Sequence, residues 1–363
     1  MRILILAGKE LSQRSRQLTA ELLNSDWHSP GDGLFFPGTG DSDFCQHHSR
    51  VLKLQVFLKN LTDLLQGSGI TNVSYRILHD QILRCLDFLN NPAGSPPGQA
   101  KFMEKVKERA SWLLDESASG DNPFYFHLLD ALAYIRSFCA RAFSSGGSLP
   151  GFLASLLQHE GRAGMDIVSL NPSEVFEQFL SQHAVSFHDG FEADGAGGAN
   201  FSPQALQLFF RGIRLIKLAG SVDWFWEKQE GETSPKLARR PANLSCGTRP
   251  VVLWGDLKQI LEPPQDVLLP LYGIARGAFS MHFRIITVGY DWNDLVVNRW
   301  LIEWLAWREE NRMVIIGGPD LKSVEVSLEL KYGLQRARSR DQLLTLQQNS
   351  QDLAVSDMAN FLK

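Results

Sequence analysis

The sequence predicts an α/β protein built on a Rossmann-like, doubly wound parallel sheet, with a helical insertion between its first and second strands. Three observations carry this expectation. Short apolar runs bounded by turn residues recur along the chain, helical spacers of crossover length separate several of them, and one long interval holds amphipathic helices without a convincing strand. A strand buried on both faces reads as a continuous apolar run, which is the pattern of a parallel sheet covered by helices.

The runs fall at residues 2–6, 166–170, 184–187, 215–218, 250–254, 284–288 and 312–316. Helical patterns at 19–23, 172–182, 203–212, 268–279 and 296–308 supply the crossovers. The long interval runs from about 41 to 164. Within it Val51, Leu54, Phe57, Leu58, Leu61 and Leu65 share one helical face, and 75–89 and 126–143 repeat that spacing. The prolines of 91–99 and the segment 121–123 break these helices, while glycine clusters at 144–151 and 194–198 read as loops. Residues 1–320 are expected to form the domain, followed by a polar, mainly helical tail at 321–363.

Composition narrows the function. The chain has 363 residues, 44% hydrophobic and 21% charged, enough for one large domain or two modest ones. A net charge of −4 without a run of like charges offers no footprint for nucleic acid. Cys45, Cys85, Cys139 and Cys246 stand singly, so neither a metal site nor a disulfide framework is expected. Residues 1–8 are too brief for a signal-peptide core and no stretch reaches membrane-span length, so a cytoplasmic location without membrane contact is expected.

Four segments would carry chemistry. The first strand ends in Ala7-Gly8-Lys9-Glu10-Leu11, where an open parallel sheet places its phosphate-binding turn. Gly8 is the one glycine there; Lys9 offers a phosphate a charge and Glu10 repels it, and on this segment alone a plain strand-to-helix turn is the better reading. Asn171 follows the second strand, positioned to hold a ribose hydroxyl or a water, or to cap the next helix. Residues 215–224 form a buried strand breaking into Ala219-Gly220-Ser221, then Asp223-Trp224. Residues 285–294 end in Gly289-Tyr290-Asp291-Trp292-Asn293-Asp294, in which Asp291 is of the type that accepts from a ribose diol or forms a turn. The tryptophans of 224–226 and 292–307 read as core packing.

Taken in order, these segments resemble the sirtuin-like (silent-information-regulator-type) NAD-binding family, in its compact bacterial branch without the zinc ribbon. Residues 170–173 stand where that family has Thr-Asn-Tyr-Asp, and His188-Asp189-Gly190-Phe191 is similar to its Asp-Gly-Phe. Residues 217–224 resemble Lys-Leu-His-Gly-Ser-x-Asp-Trp almost letter for letter, and 288–298 resemble Gly-Tyr-Ser-x-x-Asp-x-x-x-Asn. The strand at 250–259, with Lys258, also lies in the family's usual place.

The resemblance implies cleavage of the nicotinamide–ribose bond of NAD, with Asn171 at the family's asparagine and Ala219 at its catalytic histidine. A methyl group accepts no proton, and loss of a positioned general base costs about two to four orders of magnitude in rate. Pro172-Ser173, Asp291 and the sparse turn at Gly8 are further departures, beside retained Lys217, Gly220, Ser221, Asp223, Trp224, Gly289 and Asn298. The expectation is therefore a degenerate domain acting through a protein partner or homo-oligomer, or through NAD or ADP-ribose held at Gly8, Lys9, Asn171, Gly220, Ser221, Gly289, Asp291 and Asp294. The alternative is an active NAD glycohydrolase, in a bacterial defence setting, with His188, Asp189 or Asp291 as substitute base. Deacylation would need the same missing base and a zinc module for which the cysteines are lacking.

Overall fold

A computed structural model describes residues 3–8, 14–24, 44–70, 73–94, 98–111, 123–144, 149–160, 164–193, 195, 198–208, 212–227, 236–239, 250–252, 265–292, 294–317, 327–346, 353 and 358. They divide into two compact units, one from Met1–Gln13, Phe143–Ser245 and Pro250–Lys363, the other from Arg14–Ala142.

The first unit is a Rossmann-like α/β structure. Strands β1 (Leu4–Ala7), β2 (Met165–Ser169) and β3 (Phe187–His188) precede two short strands, β4 (Phe191–Ala193) and β5 (Ala199–Phe201). β6 (Ile213–Lys217), β7 (Gly220–Glu227), β8 (Lys236–Arg239) and β9 (Pro250–Val252) follow, then β10 (Arg284–Val288), β11 (Arg312–Ile316) and β12 (Leu343–Leu346). Among the described residues, seven of these form one sheet in the order β12-β11-β10-β1-β2-β6-β3. All of its pairings are parallel.

Both faces of this sheet are covered, which explains the continuous apolar runs. Leu4 and Leu6 join one core cluster with Leu271, Ala275 and Ala278 of helix α9 (Gln265–Met281) and Leu301 and Leu305 of α10 (Leu295–Trp307). Ile3, Ile5 and Ala7 join another, with Leu153 and Leu157 of α6 (Gly151–Glu160) and Phe176 and Leu180 of α7 (Val175–Gln182). Successive side chains of a strand point to opposite faces, so a sheet with helices on each side needs apolar residues at every position.

The second unit is helical: α1 (Arg14–Asn24), α2 (Phe44–Gly67), α3 (Tyr75–Asn90), a 3-10 turn at Pro92–Gly94, α4 (Gln99–Ala110) and most of α5 (Pro123–Ser144). The apolar face expected on α2 is buried throughout, from Val51 to Leu65. Polar ties join its helices: the Gln55 amide donates to the Tyr134 hydroxyl, which donates to the Leu22 carbonyl.

Several expectations are corrected. α1, read as a sheet crossover, belongs to the helical unit, where Thr19 Oγ1 accepts from the Tyr75 amide. α6, read as part of the insertion, instead covers the sheet because its apolar face is the partner of Ile5 and Ile167. Residues 250–252 pair antiparallel with β7 rather than joining the parallel sheet. They belong, among the described residues, to a second sheet of order β4-β5-β8-β7-β9 that the sequence reading missed. Among the described residues of the tail, α11 (Leu328–Ser339) is helical, but β12 then extends the main sheet, and Leu353 and Met358 are buried in its core. Lys9, Lys258 and most of the two glycine clusters lie outside the described residues.

No helix among the described residues is long and apolar enough to cross a membrane. Cys85 and Cys139 are buried and form no disulfide among the described residues, and burial pushes the Cys85 thiol up to about 12, out of reach of ordinary thiolate chemistry.

Candidate functional site

β1 pairs with β2 on one side and β10 on the other, so strand order reverses there. Open α/β sheets place ligands beyond the carboxyl ends of the strands at that reversal. Register brings Ala7 level with Ser169 and Val288, and Ser169 level with Lys217. Gly8, Asn171, Ala219 and Gly289 therefore emerge along one edge.

Gly8 is required by its neighbours. Its amide donates to the Val288 carbonyl at 2.8 Å, and a Cβ there would overlap the Gly289 carbonyl and Tyr290 Cα. The glycine thus lets two strand ends meet. Beyond it, Gly289 takes a positive φ of 58° and Trp292 one of 59°, a conformation that costs a tryptophan energy. Trp292 is held there by its carbonyl, which accepts from Asn298 Nδ2 at 2.8 Å, and by the Tyr290 ring 4.8 Å away. The Tyr290 hydroxyl donates to Asn298 Oδ1 at 2.7 Å, and burial followed by the Asp294 and Asp291 charges pushes it well above its ordinary value. Asp294 caps α10 by accepting from the Val297 amide, and Asp291 is buried beside it in sequence.

Asn171 is buried, and its Oδ1 accepts from the Ser173 amide at 2.9 Å, forming an Asx turn before α7. That turn is pinned by Lys217, whose buried Nζ donates to the Ser173 carbonyl (2.9 Å), Glu177 Oε1 (2.6 Å) and Ser221 Oγ (2.6 Å). The Val222 amide adds a bond to the Pro172 carbonyl. Lys217 and Ser221 are thus the joint between α7 and the β6–β7 turn. Ala219 and Gly220 form the turn itself, and Ala219 is buried.

A second charged group adjoins this joint. Arg239 on β8 pairs with Asp189 and lies 3.0 Å from Asp223 Oδ2 through Nε, an ion pair whose N–H is not aimed along the contact. Its guanidinium also covers the Phe191 ring at 4.4 Å. Burial lowers the Arg239 pKa, but Asp189 and Asp223 outweigh it and leave the group above its ordinary value. Burial likewise raises the half-buried Glu174 carboxyl, helped by Asp223 and Glu177.

The substitute bases are placed apart from Asn171. His188 ends β3, which pairs with β6 and not with β2, and Asp291 follows β10, beyond β1. At about 5 Å per strand each starts about 10 Å from the strand carrying Asn171. His188 Nδ1 accepts from the Gly190 amide, and Asp189 accepts from the Phe191 amide as well as from Arg239. Ala219, in the turn that follows the adjacent strand β6, has the nearer position and no titratable atom.

Sequence reasoning missed Glu177, Arg239 and the strained Trp292. No local pattern marks the first two, since Glu177 meets Lys217 across 40 residues and Arg239 meets Asp189 across 50. No group of three or more metal-binding side chains occurs among the described residues.

The fold and this edge define a Rossmann-like, doubly wound α/β protein with a second, antiparallel sheet beside the candidate ligand edge. No protein-family model matches the chain, and no curated protein matches it.

Proposed function

We propose that this chain is a sirtuin-like module whose catalytic apparatus has decayed, and that it acts by binding a partner, either a nucleotide such as NAD or ADP-ribose or another protein chain. Ala219 carries this reading. A buried methyl stands at the end of β6, next to the strand of Asn171, at the place where the resemblance puts the general base. The surrounding polar groups are occupied with structure: Asn171 in its turn, Lys217 and Ser221 in the joint, Asp189 on Arg239, and Asp294 at the cap of α10. Such a site would activate water poorly.

Thermal shift with NAD and with ADP-ribose, paired with nicotinamide release, tests it. A ligand that binds the native state at 100 times its Kd adds about 2.7 kcal/mol of stability. The expected outcome is no nicotinamide release by the native chain, with a shift for one nucleotide if that is the partner. Nicotinamide release at an ordinary enzymatic rate would establish the glycohydrolase reading instead. Ala219→His restores the imidazole, and activity appearing in that variant alone would show that one residue separates the scaffold from an enzyme.

A further inference from the structure

The charged cluster at the α7–β6–β7 joint has a property that does not depend on the ligand reading. Glu177 on α7 faces Lys217 of β6, Asp223 of β7, Arg239 of β8 and Glu174 just before its own helix, while Arg239 also holds Asp189. Four carboxyl groups thus share two cations. With every member ionised the cluster would carry two surplus negative charges in a place largely removed from water.

The hydrogen bonds show the same imbalance. Glu177 Oε1 accepts from Lys217, while Asp223 Oδ2 lies in the ion pair with Arg239. The second oxygens, Glu177 Oε2 and Asp223 Oδ1, are buried and have no donor among the described residues. A carboxylate only accepts, so neither orphan oxygen can serve the other while both groups are ionised. One proton turns an acceptor into a donor and removes one surplus charge.

We propose that Glu177 is a protonated latch: its carboxylic acid, bonded to Lys217 through Oε1 and carrying the proton on Oε2, holds α7 and the Asn171 turn against the β6–β7 turn. When the pH rises, the Oε2–H bond breaks, the proton passes to solvent and the cluster gains a negative charge beside Asp223. The joint through the Ser173 carbonyl, Ser221 and the Pro172 carbonyl then loosens. The candidate ligand edge is ordered or relaxed accordingly.

The direction of the linkage follows. Burial pushes the Glu177 carboxyl above its ordinary 4.5, Lys217 opposes this, and Asp223 adds to it. A native value above the unfolded one means that the latch contributes fully below the unfolded value and is lost as the pH rises through the native value. Each unit between the two is worth about tenfold in the folding equilibrium.

Carbon-13 NMR of glutamate carboxyl groups in the whole chain, with Glu177 identified through its backbone, is the test. Glu177 is expected to titrate above ordinary glutamates, and Asp223→Asn is expected to lower that midpoint. Across the same pH range, protection of the Leu218 and Val222 amides, measured against their intrinsic exchange rates, should fall in the native chain. In Glu177→Gln, which mimics the protonated acid, it should persist. Titration of Glu177 at or below the ordinary glutamate value overturns the proposal, as does a stability loss in Glu177→Gln that is equal at every pH. If Glu177→Gln does not fold, the titrations of the native chain and Asp223→Asn still decide.

Discussion

Gly8 shows how tightly single residues bind this fold. It lies against the Gly289 carbonyl and Tyr290 Cα, two backbone groups of the neighbouring strand end that cannot swing aside as a side chain would. Gly8→Ala is expected to cost about 3 kcal/mol, the upper part of the usual range for overpacking, seen as a lower urea midpoint with an unchanged slope. A sequence reading gives the same glycine to a phosphate, and the residue type suits either role, since both need a backbone without a Cβ. Trp292 is the opposite case. Nothing in its residue type announces a positive φ; the bond from Asn298 and the tilted Tyr290 ring beside it hold it there. Ala219 is identifiable from sequence only by residue type, and the folded chain buries it.

At the scale of elements, the helix starts follow local chemistry. Ser74, Asp294 and Ser327 accept from amides three residues on and so begin α3, α10 and α11. Asp294→Ala should destabilise the protein by about 1 kcal/mol, read from thermal unfolding, because one orphan amide of α10 loses its acceptor. The equivalent change at Arg299, which is exposed and pairs within the same helix with Glu303, should shift stability by less than about 0.5 kcal/mol. The long parallel strands were legible for a related reason: burial on two faces leaves a local apolar signature. β4, β5 and β8 are only three or four residues long, and short mixed stretches such as Phe191–Ala193 carry no period to count. β12 was hidden because Leu343–Leu346 follows within a few residues of a helix built largely of strong helix formers, whose propensity dominates the surrounding window.

For the whole molecule, β12 closes one side of the main sheet by pairing Met313–Ile316 with Leu343–Leu346. Removing residues 341–363 would leave the β11 backbone unpaired and take Leu353 and Met358 out of the core. An unpaired parallel edge recruits other chains, so the shortened protein is expected to self-associate with concentration in light scattering, where the full chain does so less. The opposite sheet edge carries the two-residue strand β3, too short to template much pairing.

The fold class and the helical character of the interval after β1 follow from the amino-acid order, because each depends on a residue type or a spacing of a few positions. The folded chain alone decided that α1 joins the helical unit, that a second sheet flanks the candidate ligand edge, and that Asn171 Oδ1 accepts within its own turn. It also decided the membership of the charged cluster, whose partners stand 40 to 50 residues apart. Charges find one another through space, and a one-dimensional pattern holds no record of which distant residues tertiary packing will bring into contact.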